Sequence, residues 1–288
     1  MQYLVGELLF LCILIATLLA LGRWFVAHRT TLIRHLGHAW QRVAQSGSMQ
    51  RLRERYPRIW TFFAARFARG EYLGLHLTVG LVISLGSLWV FLSLTEDVLH
   101  HEALTNFDTA ALDWIRAHST AAGQAIAGAV SGMGAPRVIV FLGLIGAALF
   151  ALRRQWLFLE GWVIALIGGE ALNTLLKRLI QRPRPLHSPI PSSQSWSFPS
   201  GHAMESLIAY GMMAYVFFVL GSWSHRRRVD IALAATLLIL LIGWSRIYLG
   251  VHYFSDVIGG YAAGLIWLAT CISGMEVARR WPALSEES

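Results

Sequence analysis

The chain has 288 residues, of which 56% are hydrophobic and only 14% are charged. This composition is too apolar for an ordinary soluble domain and predicts an integral membrane protein. The net charge of +8 comes almost wholly from arginine, because Lys177 is the sole lysine. The arginines form short blocks between apolar runs, a distribution that favours topology signals, so we expect a membrane and no nucleic acid as a partner.

Seven apolar runs are long enough, or nearly so, to cross about 30 Å of hydrocarbon as helices. They cover residues 3–22, 73–94, 136–152, 156–176, 202–222, 230–249 and 254–274. We therefore predict an all-α integral membrane fold with about seven transmembrane helices, in which a six-helix core follows an extra N-terminal span. The run at 136–152 is short, so we expect residues 132–136 to pack against protein.

Basic residues fall on one side of this seven-span arrangement. The stretch 23–69 holds ten arginines and one acidic residue, and further basic groups follow the third, fifth and seventh spans. The positive-inside rule places these segments in the cytoplasm. The loops 95–135, 177–201 and 246–253 are then predicted to lie together on the opposite side.

The chain is divided by these patterns into three parts, namely 1–72, 73–275 and 276–288. The first holds a retained span, because it lacks a basic amino-terminal region and a cleavage site, and a basic segment. That segment fits either an interfacial amphipathic helix on anionic lipid or a partly disordered linker. The second part is the predicted catalytic domain, and the third is a cytoplasmic tail. A milder amphipathic pattern, FDTAALDWIRAH at 107–118, predicts an interfacial helix.

Three polar clusters share the non-cytoplasmic side. They are KRLIQRPRP at 177–185, PSGH at 199–202 and SRIYLGVHYFSD at 245–256. Singly, each has an ordinary explanation as snorkelling cations, a helix cap or an interfacial histidine. Together they bring cations, histidines and an aspartate to one membrane face from three helix ends, and ionisable groups at such depth indicate a functional site.

Phosphoryl transfer is the chemistry that suits these residue types. A phosphoryl group in transit spreads negative charge over its oxygens and needs fixed cations and donors around it. Lys177 supplies a point charge, whereas Arg184 and Arg246 supply planar forks of donors. Ser200 and Gly201 open a helix whose backbone N–H groups and dipole favour an anion.

The two histidines of these clusters can supply the two remaining catalytic groups, a nucleophile and a general acid. His252 lies four residues before Asp256, a spacing at which a helical carboxylate can hold one ring nitrogen protonated and leave the other as a nucleophile. His202 is then the general acid for the leaving oxygen. These loops hold no carboxylate cluster with metal-ligand spacing, so we expect a mechanism without metal or other cofactor.

The three clusters resemble the signature of the type 2 phosphatidic acid phosphatase family, relatives of the vanadium haloperoxidases and bacterial acid phosphatases. That signature is Lys-x(6)-Arg-Pro, Pro-Ser-Gly-His and Ser-Arg-x(5)-His-x(3)-Asp, and all three parts match in order and spacing. The resemblance covers about 105–275. It implies a phosphohistidine intermediate, formed on His252 with Asp256 as its partner and His202 as the acid. The phosphate-binding residues that it implies are Lys177, Arg184, Ser200, Gly201 and Arg246.

Members of this family with six spans act on lipid phosphates such as phosphatidylglycerol phosphate, phosphatidic acid and undecaprenyl pyrophosphate. The resemblance therefore implies a lipid phosphatase of a bacterial inner membrane, with its active site facing the periplasm. This chain departs from the six-span form by its extra amino-terminal span and basic segment. Which lipid it uses, and whether a mono- or a diphosphate, is left open.

Several alternatives stay open at this stage. The same site would serve a phosphotransferase that passes the phosphate to a lipid or sugar acceptor, and an anion or lipid transporter is a third, less favoured hypothesis because the clusters lie at helix ends. Arg182 could meet a second phosphate, but an orientation towards headgroups is preferred. Glu205 could tune His202, bind a headgroup or make a structural contact.

Overall fold

The computed structural model describes residues 72–286 except 101–102, 187, 189 and 191–194, together with isolated positions nearer the amino terminus. The predicted span at 3–22 and the basic segment at 23–69 lie outside the described residues, apart from those isolated positions. All structural statements below concern the described part of the chain.

Eight helices make up residues 72–286. They are α1 (Tyr72–His100), α2 (Ala103–His118), α3 (Ala121–Met133), α4 (Pro136–Leu152), α5 (Trp156–Ile180), α6 (Gly201–Leu220), α7 (His225–Tyr248) and α8 (Phe254–Glu286). No strand occurs in this described region. Six of the helices, α1 and α4 to α8, coincide with six predicted spans, so the prediction of an all-helical fold with a six-helix core is confirmed.

Five helical segments of the described chain are long and apolar enough to cross a membrane. They are His76–His100, Ala121–Leu152, Gly201–Leu220, His225–Tyr248 and Phe254–Arg280. The chain is therefore a multi-pass membrane protein. Helix α5 is not among them because Glu160, Glu170 and Asn173 interrupt its apolar run, although its 25 residues extend for about 37 Å.

The short predicted span at 136–152 is lengthened by α3, which runs into α4 through a tight turn. Pro136 opens α4, where its missing N–H has no helical partner to lose. In the turn, Gly134 packs so closely on α7 that an added Cβ would lie 2.5 Å from the Ile242 side chain. Of residues 132–136, which were expected to pack against protein, Gly134 does so, whereas Met133 and Pro136 are exposed.

Helix α6 lies at the centre of the bundle. It contacts α8, α7, α5 and α4, and 61% of its apolar span is buried, against 11% for α1 and for the α3–α4 segment. The outer helices instead expose large apolar side chains, as a lipid-facing surface requires. Examples are Val82, Trp89, Phe141, Leu144 and Ile167.

Small residues bring α8 into close contact with α6. A Cβ added to Gly260 would lie 2.6 Å from the Ser200 carbonyl oxygen, and one added to Gly264 would lie 3.2 Å from the Met204 carbonyl oxygen. Glycines four residues apart are a common means of close helix approach in membranes, where backbone contact replaces the hydrophobic effect. This contact fixes the position of the first turn of α6.

Two buried carboxylates lie at opposite ends of the membrane-crossing part of α8. Asp256 is in its first turn, and Glu276 lies twenty positions later. Glu276 accepts a hydrogen bond of 2.8 Å from the Tyr215 hydroxyl and forms ion pairs with Arg279 and Arg280. The helix continues to Glu286, beyond the predicted end of the seventh span at 274.

Replacing Gly260 by Val tests the contact between α6 and α8. The added side chain must displace the backbone at Ser200, so we expect the free energy of unfolding to fall by about 1–3 kcal/mol. Thermal unfolding in detergent measures this loss. Gly274→Val is the matched control on the same helix, because a Cβ there meets nothing within 4 Å among the residues that the structure describes. Equal stability of the two variants would contradict the close packing.

Candidate active site

A cavity of about 640 Å³ opens at the end of the bundle where α5 and α7 end and α6 begins. Six of the eight predicted site residues line it, namely Lys177, Arg184, Gly201, His202, Arg246 and His252. The other two, Ser200 and Asp256, are fully buried. The structure thus brings residues from all three polar clusters together at one end of the bundle.

The start of α6 forms one wall of this cavity. An added Cβ on Gly201 would lie 2.7 Å from Asn173 Nδ2, so glycine permits α5 and α6 to meet here. The backbone N–H of Ser200 donates to the Asp256 carbonyl oxygen at 2.9 Å. Ser200 Oγ and Arg246 Nε are buried and have no hydrogen-bond partner among the described residues. Two unpaired polar atoms beside a helix N-terminus suit an anion-binding site.

Lys177 and Arg184 are held by backbone carbonyl groups. Lys177 Nζ donates to the Trp196 carbonyl oxygen at 2.8 Å. Arg184 donates from Nη1 to the Val251 carbonyl oxygen at 2.8 Å and from Nε to the Ser195 carbonyl oxygen at 2.9 Å. These neutral partners orient the two cations without cancelling their charge, which is what an anion site needs.

Arg246 brings the third cation from the end of α7. Its Nη1 donates to the hydroxyl of Ser131, a buried residue of α3 that lies outside the three motifs. His202 lies within electrostatic reach of all three cations. The predicted general acid therefore lies among positive charges that would attract a phosphate and stabilise its leaving oxygen.

His252 and Asp256 form a buried pair. His252 Nδ1 lies 3.3 Å from Asp256 Oδ2, and the same oxygen accepts a bond of 2.8 Å from the Tyr253 backbone N–H and another from the Ser197 hydroxyl. This pattern assigns the ring proton to Nδ1 and leaves Nε2 for the cavity. Burial lowers the pKa of His252 to about 4, although the bond to Asp256 acts in the opposite direction.

The expectation that Arg182 faces headgroups or a second phosphate is wrong. Its guanidinium is buried and donates to Asp256 Oδ1 at 2.6 Å and to Asp108 Oδ2 at 2.9 Å. It also lies 4.2 Å from the centre of the Tyr253 ring. Burial opposes its charge, but the two carboxylates outweigh this and raise the pKa of Arg182 above its ordinary value.

Asp108 is a residue of this network that the sequence interpretation missed. It lies on α2, the helix predicted from the amphipathic pattern at 107–118, and it is 1% exposed. Its Oδ1 accepts the Ser255 backbone N–H at 3.0 Å, and its Oδ2 accepts from the Ser255 hydroxyl as well as from Arg182. A carboxylate four residues before the buried Leu112, on the apolar face of α2, was the available signal.

Glu205 lines the cavity beside Glu170 of α5. It is buried, and its Oε1 accepts a hydrogen bond of 3.3 Å from Asn173 Nδ2. Among the three hypotheses for this residue, the observed contact is the structural one between α5 and α6. Groups of three or more His, Cys, Asp or Glu side chains placed to hold a metal do not occur in the residues that the structure describes.

Fold and cavity together define a class, that of multi-pass membrane proteins with a cavity lined by cationic side chains at one end of the helix bundle. Residues 159–280 match the family model of the PAP2 superfamily. The family predicted from the three motifs is confirmed, and this segment of the chain belongs to the PAP2 superfamily.

Two characterised relatives share sequence with the chain. Phosphatidylglycerophosphatase B of Bacillus subtilis is 36% identical over 125 residues, which are 43% of this chain and 60% of that protein. Decaprenylphosphoryl-5-phosphoribose phosphatase of Mycobacterium tuberculosis is 35% identical over 130 residues, or 43% and 64% of the two chains. The chain thus spans less than two thirds of the length of these relatives.

A solved structure shares the fold over a longer stretch. It is the crystal structure of the first transmembrane PAP2 type phosphatidylglycerolphosphate phosphatase from Bacillus subtilis, which aligns with a TM-score of 0.62 at 28% identity. The alignment covers 67% of this chain and 96% of that one. The helical bundle described above is therefore a transmembrane PAP2 fold.

Inorganic phosphate is expected to bind the cavity and raise the thermal stability of the protein. A ligand at a hundredfold excess over its Kd stabilises by about 2.7 kcal/mol. Arg246→Gln should weaken phosphate binding at least about tenfold, because it removes a buried cationic donor. Thermal shift as a function of phosphate concentration measures both. Arg153→Gln makes the same charge change at an exposed position outside the cavity, and an identical response from the two variants would contradict the anion site.

Proposed function

We propose that the chain is a lipid phosphatase that hydrolyses a phosphomonoester or diphosphate lipid. Candidate substrates are phosphatidylglycerol phosphate, phosphatidic acid and undecaprenyl pyrophosphate. The observation that carries the proposal is the buried pair of His252 and Asp256 at a cavity that three cations also line. An oriented neutral imidazole is a nucleophile, and fixed cations are what a phosphoryl group in transit requires.

In the first step, the lone pair of His252 Nε2 attacks phosphorus and forms an N–P bond. The bond from phosphorus to the leaving oxygen breaks, and its electron pair stays on that oxygen, which takes a proton from His202. Asp256 balances the positive charge that develops on the His252 ring. Lys177 and Arg184 stabilise the negative charge on the phosphoryl oxygens.

In the second step, water replaces the alcohol. His202, now without its proton, accepts one from the water as the water oxygen attacks phosphorus. The N–P bond breaks, the electron pair returns to His252 Nε2, and inorganic phosphate leaves. Both steps use only residues that line the cavity and Asp256, which contacts the lining residue His252, so the proposed reaction needs neither metal nor other cofactor.

Lipid rather than soluble substrates are favoured because the cavity lies at the end of membrane-crossing helices. The names of two relatives point in the same direction, since one is a phosphatidylglycerophosphatase and the other acts on a decaprenylphosphoryl sugar phosphate. We assign catalysis to residues 73–275, which contain most of the family match at 159–280 and the whole cavity lining. The basic blocks support an inner-membrane orientation with the cavity facing the periplasm.

Phosphate release from the three candidate lipids in detergent micelles tests this function. We expect release from at least one of them in the presence of a metal chelator, and His252→Gln should lower kcat by at least about 10³-fold because the nucleophile is lost. His100→Gln, an exposed histidine of α1, should leave the rate unchanged.

Other outcomes of the same assay contradict parts of the proposal. Loss of activity with the chelator would contradict the metal-independent reaction. Appearance of the phosphate on an added lipid or sugar alcohol instead of in solution would identify a transferase. Full activity of His252→Gln would show that another group attacks phosphorus.

The fall of kcat/KM at low pH reports the protonation state of His252. Because burial lowers the pKa of this residue to about 4, the imidazole stays unprotonated and nucleophilic at pH 5 to 7 and loses its lone pair only at lower pH. We expect kcat/KM, corrected for the substrate's own phosphate ionisation near pH 6, to fall as pH drops through about 4. A fall centred near pH 6.5 would indicate a solvent-exposed imidazole.

A further inference from the structure

We propose that Arg182 and Asp108 are positioning residues that hold Asp256, and through it His252, in the geometry for attack on phosphorus. Arg182 occupies a variable position of the first motif, Asp108 lies outside all three motifs, and neither residue lines the catalytic cavity. The inference rests on the proposed function, because it assigns both residues a part in the same reaction. They would act without touching the substrate.

The charge of Asp256 requires a partner at this depth. Its side chain has no exposed surface, and a buried carboxylate is stable only when it is paired and hydrogen-bonded. The two carboxylate oxygens of Asp256 have different hydrogen-bond partners. Oδ2 faces His252, Ser197 and the backbone of Tyr253, whereas Oδ1 accepts the Arg182 guanidinium at 2.6 Å. Arg182 therefore both compensates the charge and fixes which oxygen faces the histidine.

Arg182 is itself fixed from the other side by α2. Its Nη2 donates to Asp108 Oδ2 at 2.9 Å, and the Ser255 hydroxyl contacts both side chains. The face of its guanidinium lies over the Tyr253 ring. Asp108 thus connects α2 to the loop after α5 and to the first turn of α8. Through these contacts, an outer helix determines where the nucleophile points.

Loss of Arg182 has an electrostatic consequence that a purely structural role would not have. The pair of His252 and Asp256 takes up a proton more readily when a neighbouring cation is removed, whichever of the two binds it. The acid limb of kcat/KM should therefore move to higher pH. Asp108→Asn and the double variant remove one further charge near the pair, whereas Arg182→Gln and Arg182→Lys leave all the other charged groups in place. They are Lys177 on α5, Arg184 on the following loop, His202 on α6, Arg246 on α7 and Asp108 on α2.

The test compares Arg182→Gln, Arg182→Lys and Asp108→Asn with the unmodified protein on whichever lipid phosphate is hydrolysed. We expect Arg182→Gln to lower kcat about 10²-fold with KM nearly unchanged, and its acid limb to rise by at least one pH unit. Arg182→Lys should restore the acid limb to its original position because it keeps the charge. Asp108→Asn should lower kcat about tenfold. In the double variant the two losses should be less than multiplicative, since both act through one contact.

Asp113→Asn is the matched control for Asp108→Asn. It makes the same change on the same helix, but the Asp113 side chain is 75% exposed and pairs only weakly with Arg116 at 3.6 Å. Its kcat and pH profile should match those of the unmodified protein. An unshifted acid limb in Arg182→Gln, or independent and multiplicative effects of Arg182 and Asp108, would overturn the proposed positioning role.

A measurement without turnover separates this inference from the proposed function. Nitrogen-15 spectra of histidine-labelled protein report the tautomer and titration of His252, with His252→Gln used for assignment. We expect an Nδ1-protonated neutral ring in the unmodified protein, and protonation at higher pH in Arg182→Gln. If no lipid releases phosphate but this shift is seen, the proposed function fails and the positioning contact stands. An unchanged spectrum in Arg182→Gln would overturn the positioning role even in an active enzyme.

Discussion

The buried carboxylate of Asp256 is the constraint around which this end of the bundle is organised. A charge removed from water is tolerated only when donors surround it, and here they come from separate parts of the chain. The loop after α5 supplies Arg182 and Ser197, and the approach to α8 supplies Tyr253 and His252. The need to satisfy one ion therefore draws the segments that line the cavity into a single arrangement.

The backbone of Ser200 takes part both in the packing of α6 against α8 and in the support of the cavity wall. Gly260 lets α8 approach the Ser200 carbonyl oxygen, and Ser200 in turn donates its N–H to the backbone of Asp256. The first turn of α6, which presents Gly201 and His202 to the cavity, is thus held by backbone contacts rather than by side chains that a ligand would displace. Such a rigid support keeps donors aimed at a phosphoryl group before it arrives.

Hydropathy predicted the helices, and the three motifs additionally predicted which side chains meet at the site. Apolar runs located the six core helices because burial in lipid demands length and apolarity. The spacing of His252 and Asp256 predicted their contact, although His252 lies two residues before α8 and Asp256 reaches back to it from the first turn of that helix. Arg182 was assigned the wrong environment because a sequence does not show which carboxylate is nearby in space. Asp108 and Ser131 were missed for the same reason, since each contacts a residue more than one hundred positions away, namely Ser255 and Arg246.

Helix α8 carries a buried, ion-paired carboxylate near each membrane boundary. Twenty residues separate Asp256 from Glu276, and at 1.5 Å per residue this is about 30 Å, the thickness of a hydrocarbon core. Sliding of the helix along the membrane normal would move one of the two buried ion pairs towards the depth of the hydrocarbon core. The helix therefore holds its two ion pairs about 30 Å apart, and a bilayer of another thickness is accommodated by tilting of the bundle, kinking of helices or local adjustment of the lipid.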